Sequence, residues 1–314
     1  MCDFSFHTSH CSLPTSKMGG NTMIDLHIHT NNSDGSDSVI EVLKKAEKLG
    51  LKTISITDHD TCKAYEELEN IDVKKYYSGN IIKGVELRCF YNRRIIELLG
   101  YNIDTKEMQK WLDDFYKTRN RAAVQTRYLK QLYETCTELK LHMKPIEEIE
   151  WDPNSDWAAR IIYREMKRDI RNKDLLPEDL WNEYDCFRHH YCYNLENIFY
   201  IDKSPDLPTP EELIKQIKKV GGLVFVPHVL LYKWSENKDD LIFDLIDNYG
   251  IEGIECYYNS FSKEQTDYLK NICKNKKIYM SGGSDYHGTK RPEVALGTGQ
   301  GDLKVPDEII LDWV

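Results

Sequence analysis

Five short apolar runs lie far apart in this chain, and each leads into a residue type that binds metal ions. They are Ile24-Asp25-Leu26-His27-Ile28-His29, Leu51–Thr57 before Asp58-His59-Asp60, and Ile81–Val85 before Glu86, then Gly222–Pro227 before His228 and Lys277–Gly283 before Ser284-Asp285-Tyr286-His287. Each run has the length and apolar character of a strand, so each ligand-type residue is expected just past a strand's C-terminal end. A chain of this pattern is constrained to bring strand ends together. In α/β barrels the reactive groups collect at that end. In the first run, alternation places Asp25, His27 and His29 on one face and turns Leu26 and Ile28 into packing. An H-x-H pair alone is a weak signal; here five of the ten histidines fall at the ends of these runs.

Between the runs the pattern is strand, loop, helix. Ser38-Val39-Ile40-Glu41 matches a capping box, Val39, Val42, Leu43, Ala46 and Leu49 form a helical stripe, and Gly50 closes it. A charged helix is expected near Ala64–Leu68, a strand over Ile95–Tyr101, a strand over Ile251–Tyr257 carrying Glu255, and a helix near Lys263–Asn275. From Asp104 the character changes. Met108, Trp111, Leu112, Phe115, Val124, Tyr128, Leu129, Leu132 and Leu139 fit one or two long amphipathic helices, and residues 143–203 are rich in Trp, Tyr, Arg and Asp without strand pattern. Residues 104–203 are therefore expected to form a mostly helical insertion over the strand ends. The βα pattern resumes at Thr209-Pro210-Glu211-Glu212, an N-cap with Pro at N1 and an acid at N3. The barrel is expected over 23–103 and 204–314.

With 314 residues and a net charge of −10, the chain does not attract nucleic-acid backbones by bulk charge. A phosphate-bearing ligand would need local arginines or metal. No run approaches the roughly 20 apolar residues of a membrane span. Nine cysteines without a CxxC pair favour free thiols and a cytoplasmic location. Residues 1–22 lack periodicity and a signal-peptide pattern. They are expected to be a disordered extension, with the natural start at Met18 or Met23. His7, His10 and Cys11 are read as a poor metal site because ligands need a rigid scaffold.

The candidate ligands are His27, His29, Asp34, His59, Glu86, His228, Asp285 and His287. Imidazole with carboxylate and no thiolate suits Mn, Fe or Zn. Eight ligands exceed the need of one tetrahedral ion, so two or three divalent metals are expected. Clustered metals fit hydrolysis, in which one activates a water and the others hold phosphoryl oxygens and the leaving group.

The wording of these segments resembles that of the PHP (polymerase and histidinol phosphatase) superfamily. The motifs are Asp25-Leu26-His27-Ile28-His29-Thr30, Ser33-Asp34-Gly35, Ile56-Thr57-Asp58-His59-Asp60-Thr61, Gly84-Val85-Glu86, Val226-Pro227-His228 and Gly282-Gly283-Ser284-Asp285-Tyr286-His287. Arg119-Asn120-Arg121 and Leu99-Gly100-Tyr101-Asn102-Ile103-Asp104 extend the likeness, which runs from 23 to about 300 apart from much of 143–203. Within the superfamily the chain is most similar to stand-alone nucleotide phosphatases and small exonucleases with a helical insertion. The resemblance implies a distorted (β/α)7 barrel of the α/β class with a trinuclear site. It assigns His27, His29, Glu86 and Asp285 to a first metal, Asp34, His59 and His287 to another, and Glu86 with His228 to a middle one.

One departure stands out. Glu97 occupies the place where such proteins often carry a histidine completing the middle position. It either replaces that histidine as a ligand or points outward to pair with Arg93 or Arg94. The resemblance puts Arg160 toward the substrate phosphate; Arg119 and Arg121, read as two apart on one helix, are further candidates. Asp25, Asp58 and Asp60 are expected to hold ligand imidazoles in place, Glu255 to do the same or to be structural. His142, His189 and His190 are read as surface residues. The aromatic residues of 151–200 suit a small helical core better than base stacking.

These readings describe a metal-dependent phosphoesterase acting on a small nucleotide, by in-line attack of a hydroxide that the metals activate. A nucleoside monophosphate, a 3′,5′-bisphosphate or the end of a short oligonucleotide is the expected substrate, without a long nucleic-acid track. A histidinol-phosphate-type phosphatase is the nearest alternative. A non-catalytic, metal-stabilised binding module is the alternative of another class.

Overall fold

The computed structural model describes residues 23–314. The expectations for residues 1–22, including His7, His10 and Cys11, lie outside the described residues. Among the described residues, eight strands form two sheets. β1 (Ile24–Ile28), β2 (Thr53–Ile56) and β3 (Asn80–Ile81) are parallel, in the order β1-β2-β3. β4 (Gly84–Tyr91), β5 (Arg94–Tyr101), β6 (Leu223–Val226), β7 (Gly253–Tyr258) and β8 (Tyr279–Gly283) follow one another in the second sheet.

The α/β class is as expected, but the strands pair as two sheets, so the distorted (β/α)7 barrel expected from the resemblance is not confirmed as a closed one. β4 and β5 are an antiparallel hairpin, and β5 also runs antiparallel to β6. Only β6, β7 and β8 keep the parallel order within that sheet. Asn92 and Arg93 make the tight turn, both at positive φ (46° and 63°). Backbone hydrogen bonds nevertheless cross both seams between the sheets. Asp285 N donates to His27 O at 2.8 Å and His29 N to Tyr286 O at 2.9 Å; at the other seam, Asp60 N donates to Glu86 O at 2.8 Å.

Several helices start where a side chain satisfies free N–H groups. In α1 (Val39–Leu49) Ser38 and Glu41 form the capping box, and Gly50 ends the helix at φ 67°. α2 (Lys63–Glu69) follows β2. α3 (Thr105–Tyr116) is capped by Asp104 and α4 (Arg121–Glu138) by Asn120. Of the one or two long helices expected, two form, with a break before Asn120, so Arg119 lies outside the helix that Arg121 begins. α5 (Ala158–Met166), α6 (Glu178–Asn182) and α7 (Tyr184–Cys186), with a π-helical turn at Phe187–Cys192, complete the insertion. α8 (Pro210–Lys219) has the capping box of Thr209 and Glu212; α9 (Lys238–Asp247) and α10 (Lys263–Lys276) alternate with the last strands. No helix among the described residues is long and apolar enough to cross a membrane.

Apolar burial divides into three clusters. The largest joins the strands to α1, α8, α9 and α10, and Met108 and Leu112 of α3 belong to it. The insertion has its own core, from Leu129 through Ile162, Trp181 and Phe187 to Ile201. A third cluster packs Leu303, Val305, Ile310 and Trp313 against Ile24, Leu26, Tyr101 and Phe225.

Gly283 is required by the approach of β8 to β1. A Cβ there would stand 2.4 Å from both the amide nitrogen and Cβ of His27. Backbone cannot yield as a flexible side-chain tip can. Gly283→Ala is expected to cost about 1–3 kcal/mol through overpacking and to shift His27. A denaturant melt showing an unchanged midpoint would contradict this.

Candidate metal centre

The ligand-type residues arrive from six segments and meet at one point. His27 is on β1 and His29 just beyond its end, with Asp34 in the loop that follows. His59 follows β2, His228 follows β6, and Asp285 and His287 follow β8. Glu86 differs from expectation, because it lies inside β4 and not beyond a strand end. The hairpin then sets Glu97 directly opposite Arg88, two residues along from Glu86. Residues two apart on a strand share a face, so Glu86, Arg88 and Glu97 are presented together.

Glu86 is the hub. Its Oε2 lies 3.2 Å from His27 Nε2, from His29 Nε2 and from His59 Nδ1, while Oε1 lies 3.0 Å from His228 Nε2. Asp285 Oδ1 is 3.1 Å from His29 Nε2 and 3.6 Å from His27 Nε2. The half-exposed Asp34 reaches His287 Nε2 at 3.2 Å, His29 Nδ1 at 3.6 Å and His59 Nε2 at 3.8 Å. Three sets of ligand atoms each fall within 4.8 Å: His29, Asp34, His59 and His287; His27, His29 and Glu86; and His59, Glu86 and Glu97.

These residues fit divalent metals on chemical grounds. Both ring nitrogens of His29, Nδ1 of His59 and Nε2 of His287 are buried without a hydrogen-bond partner, although carboxylate oxygens lie close by. Buried polar atoms rarely stay unsatisfied. Lone pairs that converge without bonding one another are satisfied by a shared cation.

The charges show the same demand for cations. Burial alone would lower the pKa of His29, but Asp285 and Glu86 overcome it and raise it to about 9. His228 is raised to about 8, against burial, by Glu86 and Glu97. Burial alone would raise Glu86 and Asp285; His27 and its neighbours hold both carboxyls below their usual range instead. Glu97 goes the other way, up to about 7, because of burial and the adjacent Glu86 carboxylate.

Backbone geometry supports the cluster. Asp60, His228 and Asp285 all sit at positive φ (51°, 29° and 56°), unusual for residues with a side chain. The sharp turns direct their side chains at the ends of short strands.

Asp25, Asp58 and Asp60 do not orient imidazoles as expected; their hydrogen bonds order backbone and loops. Asp25 accepts from Ser284 N at 2.9 Å, Ser284 Oγ at 2.6 Å and Gly297 N at 2.8 Å. Asp58 accepts from Thr30 N at 2.7 Å and Ser33 Oγ at 2.5 Å, ordering the loop that carries Asp34. Asp60 accepts from Arg88 N at 3.0 Å and Arg88 Nε at 2.6 Å. The imidazole partner is Glu255, whose Oε1 lies 2.9 Å from His27 Nδ1 and whose Oε2 accepts from His228 N at 2.8 Å. Tyr258 donates to Asp285 Oδ2 at 2.8 Å, and Arg291 binds the same oxygen.

Beside this cluster, under the insertion, lies a cavity of about 460 Å³. Arg88, Arg119, Arg160, Arg188 and Lys203 line it, with rings from Tyr116, Tyr128, Trp157, Tyr184 and Tyr193. The candidate metal ligands do not line it, but Arg88 does, and Arg88 is bound to Asp60, next to His59. Of the three predicted arginines, Arg160 and Arg119 face this cavity. Arg160 packs over Tyr184, and Arg119 donates to the carbonyls of Pro205 and Phe115. Arg121 instead clamps the carbonyls of Asn154, Ser155 and Asp156 and stacks on Trp157, holding the approach to α5. Asp206, the acid that lines the cavity, is engaged by Arg127. Burial, Arg88 and Arg188 lower the pKa of Lys203, whose ammonium lies 4.1 Å from the Tyr193 ring centroid.

The aromatic residues of 151–200 divide between two uses. Trp181, Phe187 and Phe199 are core, while Trp157, Tyr184 and Tyr193 reach the cavity. His142, His189 and His190 are exposed. Arg88 was not among the residues expected at the site, although its spacing from Glu86 placed it on the same strand face. Lys203 and Arg188 carried no local signal.

A family model for the PHP domain matches residues 25–172. Over these residues the chain carries a PHP domain. Among curated PHP-like relatives, the phosphoribosyl 1,2-cyclic phosphate 1,2-diphosphodiesterase of Eggerthella lenta is 22% identical over 266 residues, 84% of this chain and 94% of that protein. A 5′-3′ exoribonuclease of Haemophilus influenzae is 27% identical over 271 residues, 84% and 89% respectively. In fold, the chain is similar to a candidate metal-dependent phosphoesterase from Bifidobacterium adolescentis, with a TM-score of 0.58 and 22% identity, covering 93% of this chain and 97% of that one. An amidohydrolase from Chromobacterium violaceum superposes with a TM-score of 0.56 at 18% identity, covering 88% and 90%. The protein is a phosphoesterase that carries a PHP domain.

Proposed function

We propose that this cytoplasmic enzyme hydrolyses phosphate esters of small nucleotides, either releasing phosphate from a nucleoside monophosphate or 3′,5′-bisphosphate, or trimming short oligonucleotides from an end. The cation- and ring-lined cavity beside the metal-ligand cluster carries this reading. Its volume suits a small ligand; such sites typically measure about 300–1,000 Å³. Arginine and lysine recognise phosphate, and tyrosine and tryptophan rings stack on bases. The relatives named as a cyclic-phosphate diphosphodiesterase and an exoribonuclease support a ribose-phosphate substrate.

Divalent ions held by His27, His29, Asp34, His59, Glu86, His228, Asp285 and His287 would supply Lewis acidity and an activated water. The chain's own groups do the rest. Arg88 stands between cluster and cavity, oriented by Asp60, so a phosphate spanning the two meets a fixed guanidinium. Arg160 and Lys203 offset charge farther from the metals. The insertion covers the site and limits water around the ester.

A substrate panel in Mn²⁺ tests the reading. Nucleoside monophosphates, bisphosphates, short 5′-phosphorylated oligonucleotides and histidinol phosphate are compared by phosphate release and product length. Nucleotides should be preferred; faster turnover of histidinol phosphate than of every nucleotide would overturn the assignment. Arg160→Ala and Lys203→Ala should each raise KM about ten-fold, on the order of 1.4 kcal/mol, with kcat little changed.

A further inference from the structure

Glu97 reaches the metal-ligand cluster only because β5 runs antiparallel to β4. Its two oxygens face different imidazoles. Oε1 lies 3.8 Å from His59 Nδ1 and Oε2 lies 3.6 Å from His228 Nε2. Glu86 approaches the same two nitrogens, with Oε2 3.2 Å from His59 Nδ1 and Oε1 3.0 Å from His228 Nε2. Two carboxylates therefore stand side by side across one pair of imidazoles.

An ion pair with Arg88 or Arg93 does not account for this arrangement. Arg88 faces Glu97 in register, yet its Nε is bound to Asp60 at 2.6 Å. Arg93, which would have served an outward-pointing glutamate, packs on Tyr200. His59 Nδ1 lies near both carboxylates but is buried without a hydrogen-bond partner, as are both ring nitrogens of the fully buried His29 beside it. Adjacent carboxylates repel unless a cation lies between them.

We propose that Glu97 is a metal ligand that joins Glu86 in bridging the two metal positions served by His59 and His228. The inference rests on the metal-dependent reading above and adds what this chain's own glutamate does there. A second carboxylate makes the pair of positions oxygen-rich. Such a ligand set suits Mn²⁺, whereas a histidine in its place would move preference toward Zn²⁺.

The test compares the full chain with Glu97→Gln and Glu97→His. Mn²⁺ and Zn²⁺ binding is measured by calorimetry and metal content, and the Mn²⁺-loaded proteins are examined by electron paramagnetic resonance. The unaltered protein should show an exchange-coupled Mn²⁺ signal. In Glu97→Gln one Mn²⁺ equivalent should weaken at least about ten-fold, and the signal of isolated Mn²⁺ should appear. Glu97→His should keep the stoichiometry and favour Zn²⁺ over Mn²⁺. Without metal, Glu97→Gln should melt no lower than the unaltered protein, because a like charge has been removed, while its gain in melting temperature on Mn²⁺ addition shrinks. Unchanged Mn²⁺ affinity and stoichiometry in Glu97→Gln would overturn the proposal. So would a lower metal-free melting temperature with an undiminished gain from Mn²⁺, which is the signature of a structural ion pair. If the unaltered protein binds no Mn²⁺, the metal-dependent reading itself falls. If it binds and hydrolyses while Glu97→Gln matches it, only the role of Glu97 falls.

Discussion

Asp285→Asn should abolish turnover, lowering kcat by at least about a thousand-fold, on the order of 4 kcal/mol of transition-state stabilisation. Asp285 Oδ1 lies 3.1 Å from His29 and 3.6 Å from His27, while Oδ2 is held by Tyr258 and Arg291. An amide keeps the size and several contacts of the carboxylate but loses the charge that a metal needs, so the fold should survive. Phosphate release from the best substrate of the panel, measured with circular dichroism on the same preparation, separates these effects. Turnover unchanged in the folded variant would favour a non-catalytic binding module over an enzyme.

Metal removal should have the second large effect, and its size should depend on pH. A ligand that binds only the folded state, present at a thousand-fold its Kd, stabilises by about 4 kcal/mol. Chelation should therefore abolish activity, with Mn²⁺ restoring it, and lower the melting temperature by on the order of 10 °C. The pH dependence follows from the site. His29 and His228, raised to about 9 and about 8, bind more protons folded than unfolded. Their contribution is complete below the unfolded histidine value near 6.5 and is lost as pH rises through 8 to 9. Glu86 and Asp285 are held low, so their contribution is present above the unfolded carboxyl range and is lost as pH falls through their folded values. The metal-free protein should be most stable between roughly pH 5 and 7 and lose stability toward pH 9. Metals take the place of those protons, so the loaded protein should be nearly level over pH 7 to 9. Thermal melts with and without chelator check this. A metal-free protein that gains stability between pH 7 and 9 would contradict it, and hydrolysis indifferent to chelator would sink the metal-dependent reading.

Both predictions draw on residues that the chain marks by local pattern alone. His27 and His29 alternate along one strand, His59, His228, Asp285 and His287 end apolar runs, and the capping boxes at Ser38 and Thr209 mark helix starts. These signals are short-range. Strand alternation, strand ends and helix caps are set by neighbours a few residues apart, so the chain states them directly. The helices of 104–203 were visible for a related reason: their amphipathic period differs from that of the strands.

Other features depended on which distant segments meet. The antiparallel β4–β5 hairpin places Glu86 within a strand and swings Glu97 inward, and nothing local distinguishes a glutamate that faces solvent from one that faces histidines across a sheet. Asp25, Asp58 and Asp60 stand beside ligands in sequence, yet their hydrogen bonds run to Ser284, Thr30 and Arg88. Lys203, Arg188 and Arg88 are separated in the chain and converge only when the insertion folds over the strand ends. The residue types and their order thus establish that metals and phosphate chemistry belong here. Packing between remote elements selects which carboxylates can share an ion and which cations can reach a substrate, because both depend on distances of a few ångströms that no local pattern encodes.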